Sequence, residues 1–284
     1  MSSSQAYLNS TKILQMPGTG RIRTIIVFWN SLFKRLFDIS MALIGLLFLI
    51  PIFFYVAMLI KRDSPGPVFY RGPRMGKKGK LFKILKFRTM YDDQHSFNGP
   101  SITAQGDDRI TPIGHWLRDT KINEFPQLWN VLIGEMSLVG PRPEVVKIAE
   151  TWPADAAEEI LSLQPGITSP ASILYHDEER LLSSTNPMDN YFKKIMPDKI
   201  RLDRLYIRYH SFFSDIDIIF WTLAILVPRI AKAHIPEGYF YAGPFTILFR
   251  RFLSWFTLDL VITLTAVGIV SVLWRIDAPL NWGL

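Results

Sequence analysis

Between Leu36 and Ile60 the chain reads LFDISMALIGLLFLIPIFFYVAMLI, almost wholly apolar. About 20 apolar residues suffice for a helix to cross a bilayer, so lipid or protein must cover this stretch along its whole length. Basic residues flank both ends, Arg21, Arg23, Lys34 and Arg35 before it and Lys61 and Arg62 after it. Lys and Arg beside a membrane segment mark the cytoplasmic side, so both ends favour the same face. Pro51 lies past the middle. Proline lacks a backbone donor and clashes with the preceding turn, which kinks or breaks a helix. A helix that enters, breaks at Ile50–Pro51 and returns satisfies both the charges and the proline. A straight span satisfies the length alone. Asp38, near the start, is expected at the interface, paired with a nearby basic residue.

Composition supports a membrane setting. Hydrophobic residues make up 49% of the 284 residues, with 20 Phe and 8 Trp, rings that favour the membrane interface. The net charge of +7 suits partners that carry phosphate. The chain has no cysteine, so disulfides, thiol nucleophiles and Cys-ligated metals are excluded. The N-terminal stretch MSSSQAYLNSTKILQMPGTG has no apolar signal core and reads as a polar segment, either disordered or loosely docked.

From Lys61 to Arg88 the character changes, with ten Lys or Arg against one acid, Asp63. Ser64-Pro65-Gly66-Pro67 is turn chemistry. Val68–Tyr70 and Leu81–Ile84 read as short strands joined by a Gly-Lys-Lys-Gly turn. This basic hairpin suits anionic lipid headgroups, at about 1 kcal/mol for each juxtamembrane cation. Lys86 and Arg88 are its candidates for facing a diphosphate. Asp92–Asp108 reads as a polar loop, a candidate flap over a site. A helical pattern follows from about Ile113 to Leu132, with an interruption expected near Pro126.

The densest chemistry lies in LRDTKINEFPQLWNVLIGEMSLVGPRPEV. Arg142 stands between two prolines in a rigid extended stretch. A planar guanidinium held that way can grip a phosphate with two parallel hydrogen bonds. Glu124 suits Mg²⁺, which binds few carboxylates together with substrate phosphates. A structural Glu124–Arg142 ion pair explains the same residue types equally well. His115, His176 and His210 are isolated and lack metal-ligand spacing. Ser137 has no base in a recognisable nucleophile motif.

Downstream, Ala154–Leu163 and Asp177–Leu182 read as acidic helices. Ile200–Tyr209 interleaves Arg201, Arg204 and Arg208 with Leu202, Leu205, Tyr206 and Tyr209, an amphipathic helix. Asp215–Ile230 is apolar but short for a span, and is expected to lie in the interface. Leu253–Trp274 is long enough to cross, with Arg250 and Arg251 placing its N-terminal side in the cytoplasm. Asp259 within it is costly unless paired or near the interface.

From Arg35 to about Pro228 the chain resembles the bacterial sugar transferases, also called monotopic phosphoglycosyl transferases. The resemblance rests on KRLFDISMAL, SPGPVFYRGPRMGKKGKLFKILKFRTM, INEFPQLWNVLIGEMSLVGPRPE, LQPGIT and RLDRLYIRYHSFFSDIDII. It implies a re-entrant helix-break-helix under a cytoplasmic α/β, mostly helical domain with interfacial helices. The implied reaction moves a hexose-1-phosphate from a UDP-sugar to undecaprenyl phosphate, with Mg²⁺, and releases UMP. That is a first membrane step of exopolysaccharide or lipopolysaccharide assembly, at the cytoplasmic face of a bacterial inner membrane. By similarity, Lys86, Arg88, Thr89, Gln127, Asn130, Pro141 and Arg142 are substrate or phosphate contacts, Glu124 the metal ligand, and Asn123 and Glu124 the catalytic pair. Gly166 is expected as a turn glycine near the site, and Asp203 matches an acidic position of the family.

One departure bears on mechanism. The family motif usually carries Asp-Glu, its Asp serving as the nucleophile of a covalent phosphosugar enzyme. Here the pair is Asn123-Glu124, and a neutral amide is a poor nucleophile. Several readings stay open: direct attack by the lipid phosphate, Glu124 as nucleophile, an Asn123 introduced to disable turnover, a natural inactive homologue, or a scaffold in glycan assembly. A nucleic-acid partner is not expected, since no DNA-reading motif accompanies the basic stretch.

The expected organisation is a polar segment over 1–33, the re-entrant helix over 34–62, the cytoplasmic transferase domain over 63–233, and a linker with one C-terminal transmembrane helix over 234–284. That last helix lies outside the resemblance, apart from a weak likeness to the first membrane helix of membrane-anchored nucleotide-sugar dehydratases. It reads as a fusion remnant, an anchor or a homodimer contact.

Overall fold

The computed structural model describes residues 20–100, 102–103, 106–182, 187–226, 235–252 and 255–277. Side chains at 20–30, 179–180, 187, 255–256 and 276–277 lie outside that description. Helix α1 spans Gly20–Asp63. It begins well upstream of the expected boundary at residue 34, because neither Gly nor Pro interrupts the chain from Arg21 to Ile44. The expected break at Ile50–Pro51 is not a break in secondary structure. The helix continues through Pro51, so the proline costs one backbone hydrogen bond inside an unbroken helix.

Both flanks of α1 dock on the polar domain, while its middle does not. Strand β1 (Phe69–Met75) pairs antiparallel with β2 (Leu81–Phe87), Tyr70 opposite Lys86 and Gly72 opposite Ile84. The hairpin was legible in its glycines. Lys78 and Gly79 adopt φ of 57° and 72°, and a glycine accepts that left-handed turn without strain. Strand residues alternate faces. Phe82 and Ile84 on one face of β2 pack with Ala42 of α1, Val131 and Met136. Phe87 on the other face packs with Val56 and Ile60 of α1 and with Leu117. The two flanks of one helix thus cover opposite faces of one strand. Between them Phe48 and Phe54 are 79% and 75% exposed.

The helical pattern after the polar loop is divided earlier than expected. Thr111 caps α2 (Pro112–Asp119) through its hydroxyl, with Pro112 in the first turn. Lys121 then takes φ 58°, and a 3₁₀ turn follows over Ile122–Gln127 with Pro126 inside it. Helix α3 covers Leu128–Ile133. The break falls at Lys121 because the Thr120 hydroxyl bonds back to the Trp116 carbonyl and Lys121 Nζ reaches the His176 carbonyl at 2.8 Å. Part of the expected flap is a short helix, Gln94–Asn98. Residues 101, 104 and 105 of that loop lie outside the described residues.

Strand β3 (Ser137–Val139) pairs in parallel with β4 (Gly166–Thr168). Gly166 is not a turn glycine. A Cβ there would lie 2.1 Å from the Gly140 amide nitrogen, so its role is close backbone approach. Helices α4 (Met196–Tyr209) and α5 (Phe212–Ile225) follow, α5 opened by a Ser211–Ser214 capping box. The end of the expected interfacial stretch, residues 227–230, lies outside the described residues. Residues beyond it return to the domain. Ile235 and Phe240 join Val139, Ile173, Tyr206 and Ile218 in one core cluster, and Phe240 is fully buried. Asp217 of α5 accepts from the Phe245 and Thr246 amides at 2.8 and 3.0 Å, capping α6 (Pro244–Phe252). The stretch read as a linker is therefore part of the core. Helix α7 (Trp255–Asp277) is the second helix long and apolar enough to cross a membrane.

Candidate active site

Polar anchors tie α1 to the strands that build the site. Lys34 Nζ donates to Asp215 Oδ2 at 2.5 Å and to the Val139 carbonyl at 3.1 Å. Arg35 donates to the Val131 and Leu132 carbonyls at the C-terminus of α3, where carbonyls lack helical partners. Asp38 is buried and accepts from the Ser137 hydroxyl at 2.8 Å and the Leu138 amide at 3.2 Å. Its hydrogen bonds thus come from a hydroxyl and an amide, while the nearby Lys34 pairs with Asp215.

A cavity of about 750 Å³ opens beside β2 and the 3₁₀ turn. Glu124 stands in its wall. Its Oε1 accepts from Lys86 Nζ at 2.9 Å and Arg142 Nη2 at 2.5 Å, and its Oε2 from Arg142 Nη1 at 3.1 Å. Each partner arrives by a local device. Lys86 sits near the end of β2, on the same face as Phe82 and Ile84. Arg142 lies in Gly140-Pro141-Arg142-Pro143, an extended run that follows β3. Glu124 lies in the tight turn after Lys121.

Burial pushes the Glu124 carboxyl up, but Arg142 and Lys86 outweigh it and hold the group well below the usual carboxylate range. Glu124 raises the Arg142 guanidinium above its ordinary value. Burial, helped by Arg142 and Arg74, brings the Lys86 ammonium down to about 8 against the pull of Glu124. The ion pair expected as one of two readings of Glu124 and Arg142 is present, and it faces the cavity.

Asn123 also lines the cavity; the residue is only 7% exposed and its Oδ1 has no hydrogen-bond partner. Thr89 lines it and accepts from Arg118 Nη1 at 3.2 Å. Arg88 lines it too, but its guanidinium ends hold the Ser64 and Pro65 carbonyls at the exit of α1. Three expected contacts are placed elsewhere. Asn130 clamps β2 to α3, accepting from the Leu85 amide and donating to the Lys83 carbonyl, both at 2.9 Å, and to Glu135 at 2.7 Å. Gln127 is buried outside the cavity lining, neither amide atom having a partner. Pro141 lies outside it as well, its carbonyl accepting from the Gly166 amide at 2.9 Å.

A second polar wall was not anticipated. Glu144 accepts from the Tyr191 hydroxyl at 2.9 Å and from Lys199 at 3.4 Å, and Lys199 reaches Glu178 at 2.7 Å. All four residues line the same cavity. Sequence spacing carries no sign of this, because Glu144 and Lys199 meet only through the tertiary fold. Next to it, burial pushes Asp203 up to about 8, and its Oδ1 has no partner.

Among the described residues no group of three or more His, Asp or Glu could hold a metal ion by itself. Magnesium asks for less: one or two carboxylates, waters and substrate phosphates. The Glu124 carboxylate and the unpartnered Asn123 Oδ1 fit that requirement.

The model of the family described as "Bacterial sugar transferase" matches residues 29–229. Over 200 residues the chain is 40% identical to the "Undecaprenyl-phosphate glucose phosphotransferase" of Komagataeibacter xylinus, covering 69% of this chain and 36% of that protein. It is 37% identical over 203 residues to the "Exopolysaccharide production protein PSS" of Rhizobium leguminosarum bv. phaseoli, covering 69% of this chain and 96% of that one. It is 34% identical over 222 residues to the "UDP-glucose:undecaprenyl-phosphate glucose-1-phosphate transferase" of Caulobacter vibrioides, covering 77% of each.

Proposed function

We propose a function for a chain that belongs to the bacterial sugar transferase family: it transfers a sugar-1-phosphate from a UDP-sugar to undecaprenyl or another polyprenyl phosphate, releasing UMP. The reading places it at the cytoplasmic face of a bacterial inner membrane, in the first membrane step of exopolysaccharide or lipopolysaccharide assembly. The observation that carries it is the Lys86–Glu124–Arg142 constellation in the wall of a cavity. Arg74, Arg118 and Lys121 line the same cavity. Phosphoryl transfer asks a protein mainly for positioning and for positive charge around the transferring group. These side chains supply both. Magnesium held by Glu124 and Asn123 would add charge neutralisation on the phosphates. Lys86 and Arg142 orient the diphosphate, and Glu124 keeps both cations in place until substrate arrives.

The way α1 docks supports the membrane arrangement. Residues 34–42 and 56–61 both contact one polar domain, while the stretch between them carries the exposed Phe48 and Phe54. A helix crossing the bilayer would put its ends on opposite sides, so this pattern supports a re-entrant α1 with both flanks cytoplasmic. The exposed cations of the β1–β2 turn, Lys77, Lys78 and Lys80, suit anionic lipid. Helix α7 then crosses, its Arg250–Arg251 side in the cytoplasm.

The test is a donor screen. The full chain in lipid nanodiscs with undecaprenyl phosphate and Mg²⁺ is expected to release UMP from at least one UDP-sugar, and only with acceptor present. No release from any donor overturns the reading. Asn123 favours a second reading, a catalytically impaired homologue or scaffold. Protection from unfolding by UDP-sugar and Mg²⁺ without turnover would identify that case.

A further inference from the structure

The two charged walls of the cavity carry opposite balances. Around Glu124 two cations, Lys86 and Arg142, meet one carboxylate. In the second wall two carboxylates, Glu144 and Glu178, meet one cation, Lys199. The oxygens are used differently too. Glu124 accepts through both of its oxygens. Among the described residues Glu144 accepts through Oε1 alone, from Tyr191 and Lys199, and Glu178 through Oε2 alone, from Lys199. The other oxygen of each is left for a donor in the cavity. Lys199 is fixed between them: it is 8% exposed, and its Nζ stands 5.0 Å from the centre of the Tyr191 ring. Burial pushes the Glu144 carboxyl up, but Lys199 and the Tyr191 hydroxyl outweigh it, and the group stays ionised.

An ionised carboxylate only accepts hydrogen bonds, and so does an ionised phosphate. The second wall therefore repels the diphosphate that the first wall attracts. It suits an uncharged group that both donates and accepts. A hydroxyl does so: it donates to an open carboxylate oxygen and accepts from Lys199, whose ammonium has three donors. A UDP-sugar carries hydroxyls at two places, on its sugar and on its ribose. The wall adjoins the cations that would hold the diphosphate. Glu144 follows Arg142 by two residues, and Glu144 and Glu178 both act on the Arg142 guanidinium. The sugar places its nearest hydroxyl or amide one carbon beyond the carbon that carries phosphate, the ribose two carbons beyond. The shorter reach favours the sugar. Tyr175 adds a ring to the same lining, and its carbonyl accepts from the Glu178 amide at 3.1 Å. An aromatic ring beside a few convergent polar groups is the usual make-up of a small-molecule site.

Resting on the proposed donor class, we infer that Glu144, Glu178 and Lys199 form the seat of the donor's sugar and select it by its hydroxyl groups. The experiment titrates the full chain in nanodiscs, with Mg²⁺, using UDP, the UDP-sugar that binds it tightest, and the monodeoxy forms of that UDP-sugar. At least one monodeoxy form is expected to bind about tenfold or more weakly than the intact donor. Glu178→Gln is expected to weaken the UDP-sugar about tenfold and UDP by less than about twofold. In that variant the gap between the donor and its deoxy form should shrink, which a merely structural role does not produce. Glu144→Gln takes its place if Glu178→Gln does not fold. Equal binding of the donor and every monodeoxy form overturns the inference. An equal loss of UDP and UDP-sugar in the variant also overturns it, and gives the wall to the uridine end. Neither result touches the transferase reading, which stands or falls on UMP release in the presence of acceptor. Absence of binding by every UDP-sugar overturns both.

Discussion

Among the described residues two helices are long and apolar enough to cross a membrane, and they relate to the rest of the molecule in opposite ways. Helix α1 is stitched to the polar domain along both flanks by Lys34, Arg35, Asp38 and Lys61 and by the buried Ala42, Val56 and Ile60. In α7 none of the window Thr257–Arg275 is buried. Apolar length alone therefore does not tell a structural part of a domain from a tether. Polar side chains at positions that find partners on the strands do. The junction is sharp: Phe240 is fully buried and Asp217 caps α6, and the chain then leaves the domain in α7.

The comparison breaks most easily at its edge. Phe240→Ala should destabilise the domain by about 3–5 kcal/mol through the cavity it leaves. Chemical denaturation of the nanodisc-held chain reads this. Val270→Ala in α7, or removal of 255–284, should stay within about 0.5 kcal/mol by the same measurement. A large loss from removing α7 would mean that the two helices are not so different. Next comes the anchor of α1. Lys34→Ala leaves Asp215 buried with only the Tyr206 hydroxyl and neighbouring dipoles, and should cost about 2–3 kcal/mol.

A buried acid of the docked domain sharpens the contrast further. Asp203, in the docked domain, keeps its proton up to about 8 because burial disfavours the charge. Below about pH 4 the folded and unfolded chains both hold that proton. Between about pH 4 and pH 8 only the folded chain does, so stability falls as pH rises through that window and stays reduced above it. Asp203→Asn should remove this slope, gaining on the parent by about 1.4 kcal/mol for each pH unit between about pH 5 and pH 8. The smallest effect concerns the strand between the flanks of α1. Lys86 loses its proton near 8, so donor binding should weaken as pH rises past that value, by at most tenfold per unit or about 1.4 kcal/mol. Lys86→Arg should shift that fall upward in a titration of UDP-sugar binding.

What could be read in advance follows the range of the interaction. The β1–β2 hairpin is local: alternation and the Gly-Lys-Lys-Gly turn specify it within a few residues. The apolar lengths of α1 and α7 are likewise properties of consecutive residues, and so are Glu124 and Arg142 as carriers of charge. Asn130 and Gln127 misled because a motif puts residues close in sequence without saying which way each side chain points. Asn130 turned inward to hold β2, and Gln127 was buried away from the cavity. The Glu144–Lys199–Glu178 wall had no local signal, nor had the docking of 235–252.

The sequence by itself determined where apolar surface had to be covered, where the chain had to turn, and that positive charge would cluster near residues 86–142. Only the tertiary structure decided which cations meet Glu124, which flanks of α1 are held, and that α7 is left outside. The physical reason is that periodicity and turn chemistry act between near neighbours. Ion pairing and burial act between groups brought together from any distance along the chain, and their strength depends on the water removed around them.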